Sequence, residues 1–397
     1  MPHLRKRHLA DLLIKTMKYS SITGLLGHRQ VGKTTLIQGL AEKYQTLDIV
    51  ENLAVSQADP FKFLSQNQAY PLAIDECQHA PNLFPAMKDW VRTHPKPGQL
   101  LLSGSVRFTS RKAIRESLTG RIITWELLPM DFSEIYQKPL PNRVYQILES
   151  ARIDIPLPFS SYVTMKSIHS YSVAGGMPGI LFLRDEALRA QKFETQINTM
   201  LERDLKLIIQ TSLGYRSLRH LLVQLAYHVG FPFDWASLSR ETRISVPTLR
   251  KLIAAFESMF LIRIVPTEGS RRKPVLFFDD AGEANFLANL SNKPLQQLLG
   301  VIFSNLHPQI AYRPELAIQM YQYRSRSGAW VPLCFRKKNL HLGIIPILEE
   351  APDAASVGSA KSFLKVYPNA KVLLVHTGSR DQIISTKIRM IGLGQII

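Results

Sequence analysis

Only two cysteines, Cys77 and Cys334, occur in 397 residues, far apart and outside any metal-ligand spacing. That scarcity argues against a disulfide framework and a zinc site, and makes a reducing compartment the expectation. No apolar run approaches the roughly 18 residues that a membrane-spanning helix needs. The opening stretch Met1-Pro2-His3-Leu4-Arg5-Lys6-Arg7-His8 leads into an apolar segment cut by Asp11, Lys15 and Lys18, unlike a secretory leader core. No membrane is therefore expected, and the location is expected to be cytoplasmic. Internal repeats and low-complexity tracts are missing too. Acidic residues are in short supply, 31 against 49 basic, for a net charge of +18. A split at residues 150 and 275 gives +6, +7 and +5, so the excess is spread rather than held in a tail. Such a spread fits a nucleic-acid partner, and equally a basic protein that has none. With 45% hydrophobic residues the chain can bury several cores, and its length suits two or three domains.

Short apolar runs alternate with helical patterns from Ser21 to about Pro129. Residues 8–18 place Leu9, Leu12, Leu13 and Met17 on one helical face. The runs at 22–26, 47–50, 72–74, 99–103 and 122–127 read as buried strands of a parallel α/β sheet. A proline-rich stretch, 138–159, reads as a linker, and residues 185–260 read as mainly helical.

The strongest motif is Gly27-His28-Arg29-Gln30-Val31-Gly32-Lys33-Thr34, a complete G-x-x-x-x-G-K-[ST], with Thr35 beginning a helix read as 34–44. It lies between a strand and that helix, where backbone N–H groups can curl around a phosphate. Lys33 would reach the β/γ oxygens and Thr34 would hold Mg²⁺. A second element, Pro71-Leu72-Ala73-Ile74-Asp75-Glu76, follows 42 residues after Lys33. Asp75 would serve the magnesium shell, and Glu76 would polarise an attacking water. Ser103, at the tip of the next strand, would contact the γ-phosphate or the water, or simply end that strand. Arg121 is the candidate for a transition-state arginine at a subunit edge. Arg107, Arg111, Lys112 and Arg115 read as a solvated face.

These residues resemble a large group of bacterial and archaeal AAA-type P-loop ATPases. The resemblance runs through GHRQVGKTTL, IDECQHAPNLFPAMKDWV, LLSGS, SLTGR with ELLPMDFSEI, Gly175-Gly176-Met177-Pro178 and Leu201-Glu202-Arg203-Asp204. It implies an AAA-type core followed by a C-terminal domain of unknown function, built from winged-helix and restriction-endonuclease-like parts.

On its own residues, 233–260 reads as helix–turn–helix. Ser245 caps the second helix, Leu249, Leu252, Ile253 and Phe256 form its buried face, and Arg250 and Lys251 point outward. Two strands then flank a basic tip, Arg271-Arg272-Lys273, like a wing. Two uses fit this unit: contact with DNA, or packing against other subunits. The nuclease-like part departs from the group, because no acidic residue occurs between Glu315 and Glu349. A catalytic metal cannot be held there, so that part is expected to keep the fold alone.

The expectations are therefore an α/β protein with an AAA-type P-loop parallel sheet over 1–137, a linker and helical region over 138–230, a winged helix over 231–290, and a degenerate nuclease-like α/β domain over 291–397. The expected function is Mg²⁺-dependent ATP hydrolysis by a ring, hexameric by default, acting on a macromolecular client for which DNA is the candidate. The rival expectation is a nucleotide-gated scaffold with little turnover. A pure switch has no need of Glu76, which favours hydrolysis.

Overall fold

The P-loop strand β1 (Ile22–Gly27) is buried at every position, as are β3 (Leu72–Asp75) and β4 (Leu100–Gly104). Strands covered on both faces require such unbroken apolar runs. With β2 (Lys43–Thr46) and β5 (Ile122–Leu127) they form a five-stranded sheet in the order β2-β3-β4-β1-β5. All its pairings are parallel. The computed structural model describes residues 4–108, 120–269 and 273–397. β4 lies between β1 and β3, the position expected for the strand bearing Ser103. The helix Leu9–Met17 buries Leu9 and Leu13 against this sheet.

Two local expectations are overturned. The helix after the P-loop runs only over Lys33–Gln38, where Gly39 ends it. The strand expected at 47–50 is instead the four residues before it, Lys43–Thr46. β2 is a sheet edge with half-buried side chains, so it needs no apolar run. The apolar Ile49 and Val50 that suggested a strand are 48% and 75% exposed.

Helices Arg143–Glu149, Met165–Ala174, Glu186–Thr199 and Tyr215–Tyr227 follow. The first of these lies inside the proline-rich stretch and buries Val144, Ile147 and Leu148, so that stretch is a packed segment rather than a free linker. Helices Trp235–Thr242 and Val246–Ser258 meet at Arg243, whose φ is +57°. The Ser245 hydroxyl accepts from the Thr248 amide and caps the second of them. β6 (Ile262–Val265) and β8 (Val275–Phe278) pair antiparallel. β7 (Thr267–Gly269), between them in sequence, joins another sheet.

That second sheet has seven strands: β9 (Gln319–Arg324), β10 (Trp330–Lys337), β11 (Leu340–Pro346), β12 (Ala370–His376), β13 (Gln382–Ser385), β14 (Ile388–Gly392) and β7. Their order is β13-β14-β12-β11-β10-β9-β7. One buried cluster joins Val106, Phe132, Leu201, Phe256 and Val375, side chains from all four expected segments. Among the described residues no helix is long and apolar enough to cross a membrane.

Candidate functional site

β1 ends at Gly27, and the following loop carries the P-loop into the helix Lys33–Gln38. Gly32 takes a φ of +100°, a conformation glycine adopts without the Cβ penalty of other residues. Lys33 is buried, and its ammonium donates to the Gly27 and His28 carbonyls at 3.0 and 2.8 Å. Burial depresses its pKa, while Glu76 and Asp75 pull it upward and only partly compensate. Thr34 and Thr35 are exposed beside it, and Gln30 is exposed in the left-handed region with a φ of +61°.

Asp75 ends β3 and is buried. Its Oδ2 accepts the Thr34 hydroxyl at 2.6 Å and the Tyr44 hydroxyl at 2.8 Å. Its Oδ1 accepts the Ser103 hydroxyl and, at 3.1 Å, the Glu76 amide. Four donors thus converge on one carboxylate, about the number its lone pairs can serve. Tyr44, read as helical from sequence, reaches the site because it lies on β2. Burial and then Asp75 push its hydroxyl pKa well up, so it stays a donor.

Glu76 adopts a φ of +53° directly after the strand, turning its side chain off the sheet. Its Oε2 accepts from the Gln78 amide and, at 3.3 Å, from the Ser105 hydroxyl. The structure therefore brings Lys33, Thr34, Asp75, Glu76 and Ser103 together. The Thr34 hydroxyl and the Asp75 carboxylate supply hard oxygen donors side by side, the donor chemistry Mg²⁺ takes. A pocket of about 510 Å³ opens beside Lys33 and Thr34, with Arg5, Arg7, Met130 and Pro178 on its walls.

His28 and Arg29 turn their side chains elsewhere, although their backbone stays in the loop. Within 3.1 Å of the buried His28 Nε2 lies Glu283 Oε2, on the helix Ala281–Ala288. Burial lowers the His28 pKa, but the Glu283 carboxylate, with the Arg29 carbonyl and Asp279, raises it and the net shift is upward. Arg29 pairs at 3.2 Å with Asp204, from the π-helical turn Met200–Asp204. Burial raises the Asp204 pKa and Arg29 opposes that rise. On the other side, Arg7 donates to the Val31 carbonyl at 2.7 Å and pairs with Glu134 at 2.9 Å. Glu283 and Arg7 carried no motif signal in the sequence. Arg203 and Asp204 stood in one, without an assigned role.

Arg121 is exposed at the start of β5. The pairings Ile22↔Ile122 and Gly27↔Leu127 put it at the end of the sheet opposite the P-loop, so it is not gathered into its own chain's site. Arg107 is bound to Glu126 at 3.1 Å, and its guanidinium lies over the Phe260 ring. It is therefore a contact between the two halves, not the solvated residue expected. Arg111, Lys112 and Arg115 lie outside the described residues.

Arg250 and Lys251 are exposed, with Arg250 over the Trp235 ring. Lys273 is half exposed and pairs with Asp234 at 3.1 Å. Arg271 and Arg272 lie outside the described residues. The strand leading to this tip, β7, runs parallel to β9. Gln322 adds bonds to the Thr267 hydroxyl and the Lys273 carbonyl, which ties both to the C-terminal sheet.

Comparison with known proteins adds family context. Residues 19–136 match a family described as an AAA domain, and residues 165–294 match a domain of unknown function. Uncharacterised proteins of Mycobacterium bovis and Mycobacterium tuberculosis are each 25% identical over 303 residues, 73% of this chain. The match spans 61% of the length of each relative. Among solved structures, the Walker-type ATPase of Pyrococcus abyssi is 14% identical, covering 72% of this chain and 96% of its own, with a TM-score of 0.42.

Proposed function

We propose that this chain is a Mg²⁺-dependent AAA-type ATPase working as a ring-forming oligomer, hexameric by default, that uses hydrolysis to move or remodel a macromolecular client, with DNA as the candidate. The observation that carries the reading is the convergence of Thr34, Ser103 and the Glu76 amide on Asp75. That convergence supports reading Thr34 and Asp75 as the magnesium pair, with a second carboxylate one residue away.

Backbone N–H groups of residues 27–35 and the Lys33 ammonium bind the phosphates. Thr34 and Asp75 would hold Mg²⁺, which would withdraw charge from the phosphate oxygens. Glu76, steadied by Gln78 and Ser105, orients a water against the γ-phosphorus. The water oxygen forms the new P–O bond, and the bond to the β–γ bridging oxygen breaks with its electron pair leaving on ADP. The water's proton passes by way of Glu76 to the released phosphate. Arg121, exposed at the sheet end away from its own P-loop, is assigned to a neighbouring subunit's site in this reading.

A second reading is a nucleotide-gated scaffold. The ties His28–Glu283 and Arg29–Asp204 favour it, since they let the second half of the chain respond to P-loop occupancy without turnover.

Comparing Glu76→Gln with Asp75→Asn separates the two. Under the ATPase reading Glu76→Gln keeps Mg²⁺ and ATP bound while turnover falls by orders of magnitude, and Asp75→Asn weakens Mg²⁺-dependent binding. Parent-rate hydrolysis by Glu76→Gln would leave the scaffold as the better account. Lys33→Ala should lose nucleotide binding altogether, and tight retention of ATP by it would remove the phosphate site from both readings.

A further inference from the structure

Lys371 is the second residue of β12, and it is only 7% exposed although its side chain ends in an ammonium. That group donates to the Leu148 carbonyl at 3.2 Å, in the last turn of the helix Arg143–Glu149. An ammonium has three donors, so two remain. Among the described residues Lys371 makes no ion pair, and the neighbouring Glu149 pairs instead with Lys337 at 2.5 Å. Burial holds the Lys371 pKa below the usual lysine range, and Glu149 only partly opposes that. A buried cation with one neutral partner is costly to keep, and an anion beside it would offset that cost.

Lys371 lines a cavity of about 660 Å³, a size typical of small-molecule sites. One wall is the segment 150–154, directly after that helix. The others are the first residues of β11 and β12 and the turn between β13 and β14. The first wall is held in place by Arg389 on β14, which donates to the Ile153 and Ile155 carbonyls at 3.0 and 2.7 Å and pairs with Asp381 at 2.6 Å. The recess is therefore preformed, as ligand sites usually are. Within it Arg152 is offset by its ion pair with Asp154. Lys387, exposed in the turn after β13, donates to the Pro368 carbonyl at 2.6 Å and meets no carboxylate among the described residues. Lys371 and Lys387 are thus the uncompensated cations of the cavity. Leu340, Pro368 and Ile383, the last of them 48% exposed, give it an apolar face.

We propose that this cavity is a second ligand site, for a small phosphate monoester with an apolar body. Lys371 and Lys387 take the phosphate, and Leu340, Pro368 and Ile383 cover the body. A phosphate monoester carries a charge of about −1.5 to −2 at neutral pH, which two ammonium groups match, whereas a carboxylate would leave one of them uncompensated. Its oxygens accept the donors that Lys371 has left over, in bonds strengthened by charge on both sides. A recess of this kind admits the end of a small molecule rather than the convex backbone of a duplex. The cavity shares no residue with the pocket beside Lys33 and Thr34, so it does not depend on the ATP-site reading.

The test is a calorimetric titration of phenyl phosphate into the full chain carrying Lys33→Ala, so that the P-loop takes no part. The titration is repeated with Lys371→Met, Lys371→Arg, Lys387→Met or Ile383→Ser added. One saturable site is expected, with an affinity roughly tenfold weaker in Lys371→Met and partly recovered in Lys371→Arg. Lys387 and Ile383 are exposed, so their variants keep the fold and carry the test even if Lys371→Met does not. Lys387→Met should weaken phenyl phosphate and inorganic phosphate alike, whereas Ile383→Ser should weaken phenyl phosphate alone. No binding of phenyl phosphate, or binding unchanged in every variant, would overturn the proposal. Binding of a DNA duplex that depends on Lys371 and Lys387, without binding of phenyl phosphate, would overturn it too and assign the recess to a nucleic-acid surface. None of these outcomes touches the P-loop assignment, which fails separately if Lys33→Ala retains ATP tightly.

Discussion

Tyr44 donates a 2.8 Å hydrogen bond to Asp75 Oδ2, the oxygen that also receives the Thr34 hydroxyl. A residue of the sheet's edge strand is thereby tied to the carboxylate proposed to hold magnesium. Tyr44→Phe removes one donor and little volume, and a hydrogen bond to a charged group contributes about 1.5–3 kcal/mol. The variant should fold and bind nucleotide, but need roughly tenfold more Mg²⁺ for half-maximal turnover, or about 1.4 kcal/mol. A magnesium titration of both proteins checks this, and coincident curves would make the contact incidental.

His28 and Glu283 should give the protein a pH-dependent stability term. The His28 pKa is raised in the folded state, so its contribution is full below the unfolded value of about 6.5 and lost as pH climbs through the raised value. Asp280 works in the same direction. Burial and then Glu283 push its pKa up to about 6, so its ionisation at higher pH costs stability. Glu283→Gln should therefore lower the melting midpoint more at pH 6 than at pH 9. Equal losses at the two pH values would show that His28 does not titrate against Glu283.

Gly176 is predicted to be intolerant of any side chain. A Cβ there would lie 2.3 Å from the Met130 carbonyl oxygen, a backbone atom with no rotamer to change. Its amide also donates to Asp280 Oδ2 at 2.7 Å, linking the 175–178 motif to the helix that carries Glu283. Gly176→Ala should cost more than about 3 kcal/mol, the range of severe overpacking. Thermal unfolding measures it, and a midpoint near the parent's would mean that the loop yields.

The N-terminal half was legible because its motifs are local. The loop 27–34 and the pair Asp75-Glu76 each carry a role in consecutive residues, and the buried strands announce themselves as apolar runs. β2 was misplaced because an edge strand has no such run, and Tyr44 was lost with it. The clamps His28–Glu283 and Arg29–Asp204 join residues 255 and 175 positions apart, and nothing in either neighbourhood marks the partner. β7 was equally hidden. Three residues read as part of a wing lie instead beside β9, a pairing that only the assembled sheet reveals.

Arg121 and Glu76 should separate in mixing experiments. Arg121 lies at the sheet end away from its own P-loop, so its proposed target belongs to a neighbour. Lys33→Ala subunits, unable to bind nucleotide but retaining Arg121, should restore turnover to Arg121→Ala subunits. The same mixture with Glu76→Gln should stay inactive, because that carboxylate is proposed to act within its own chain. Restoration of neither would place Arg121 outside the chemistry.

DNA binding, if it is the use of the +18 charge, must run through phosphate contacts and therefore depend on salt. Each phosphate neutralised releases condensed counterions, so affinity should fall steeply between about 50 and 200 mM salt. Arg250 and Lys251 are the exposed basic pair on the helix Val246–Ser258. Reversing both to glutamate should weaken binding across unrelated sequences and flatten the plot of log affinity against log salt by about two units of slope. Lys273 should matter less, because Asp234 already offsets its charge at 3.1 Å. Binding isotherms at four salt concentrations, for the parent and the double reversal, measure both slopes. If the slopes coincide, the helix pair does not meet DNA through this face. Packing, the other use expected of this unit, then becomes the better account.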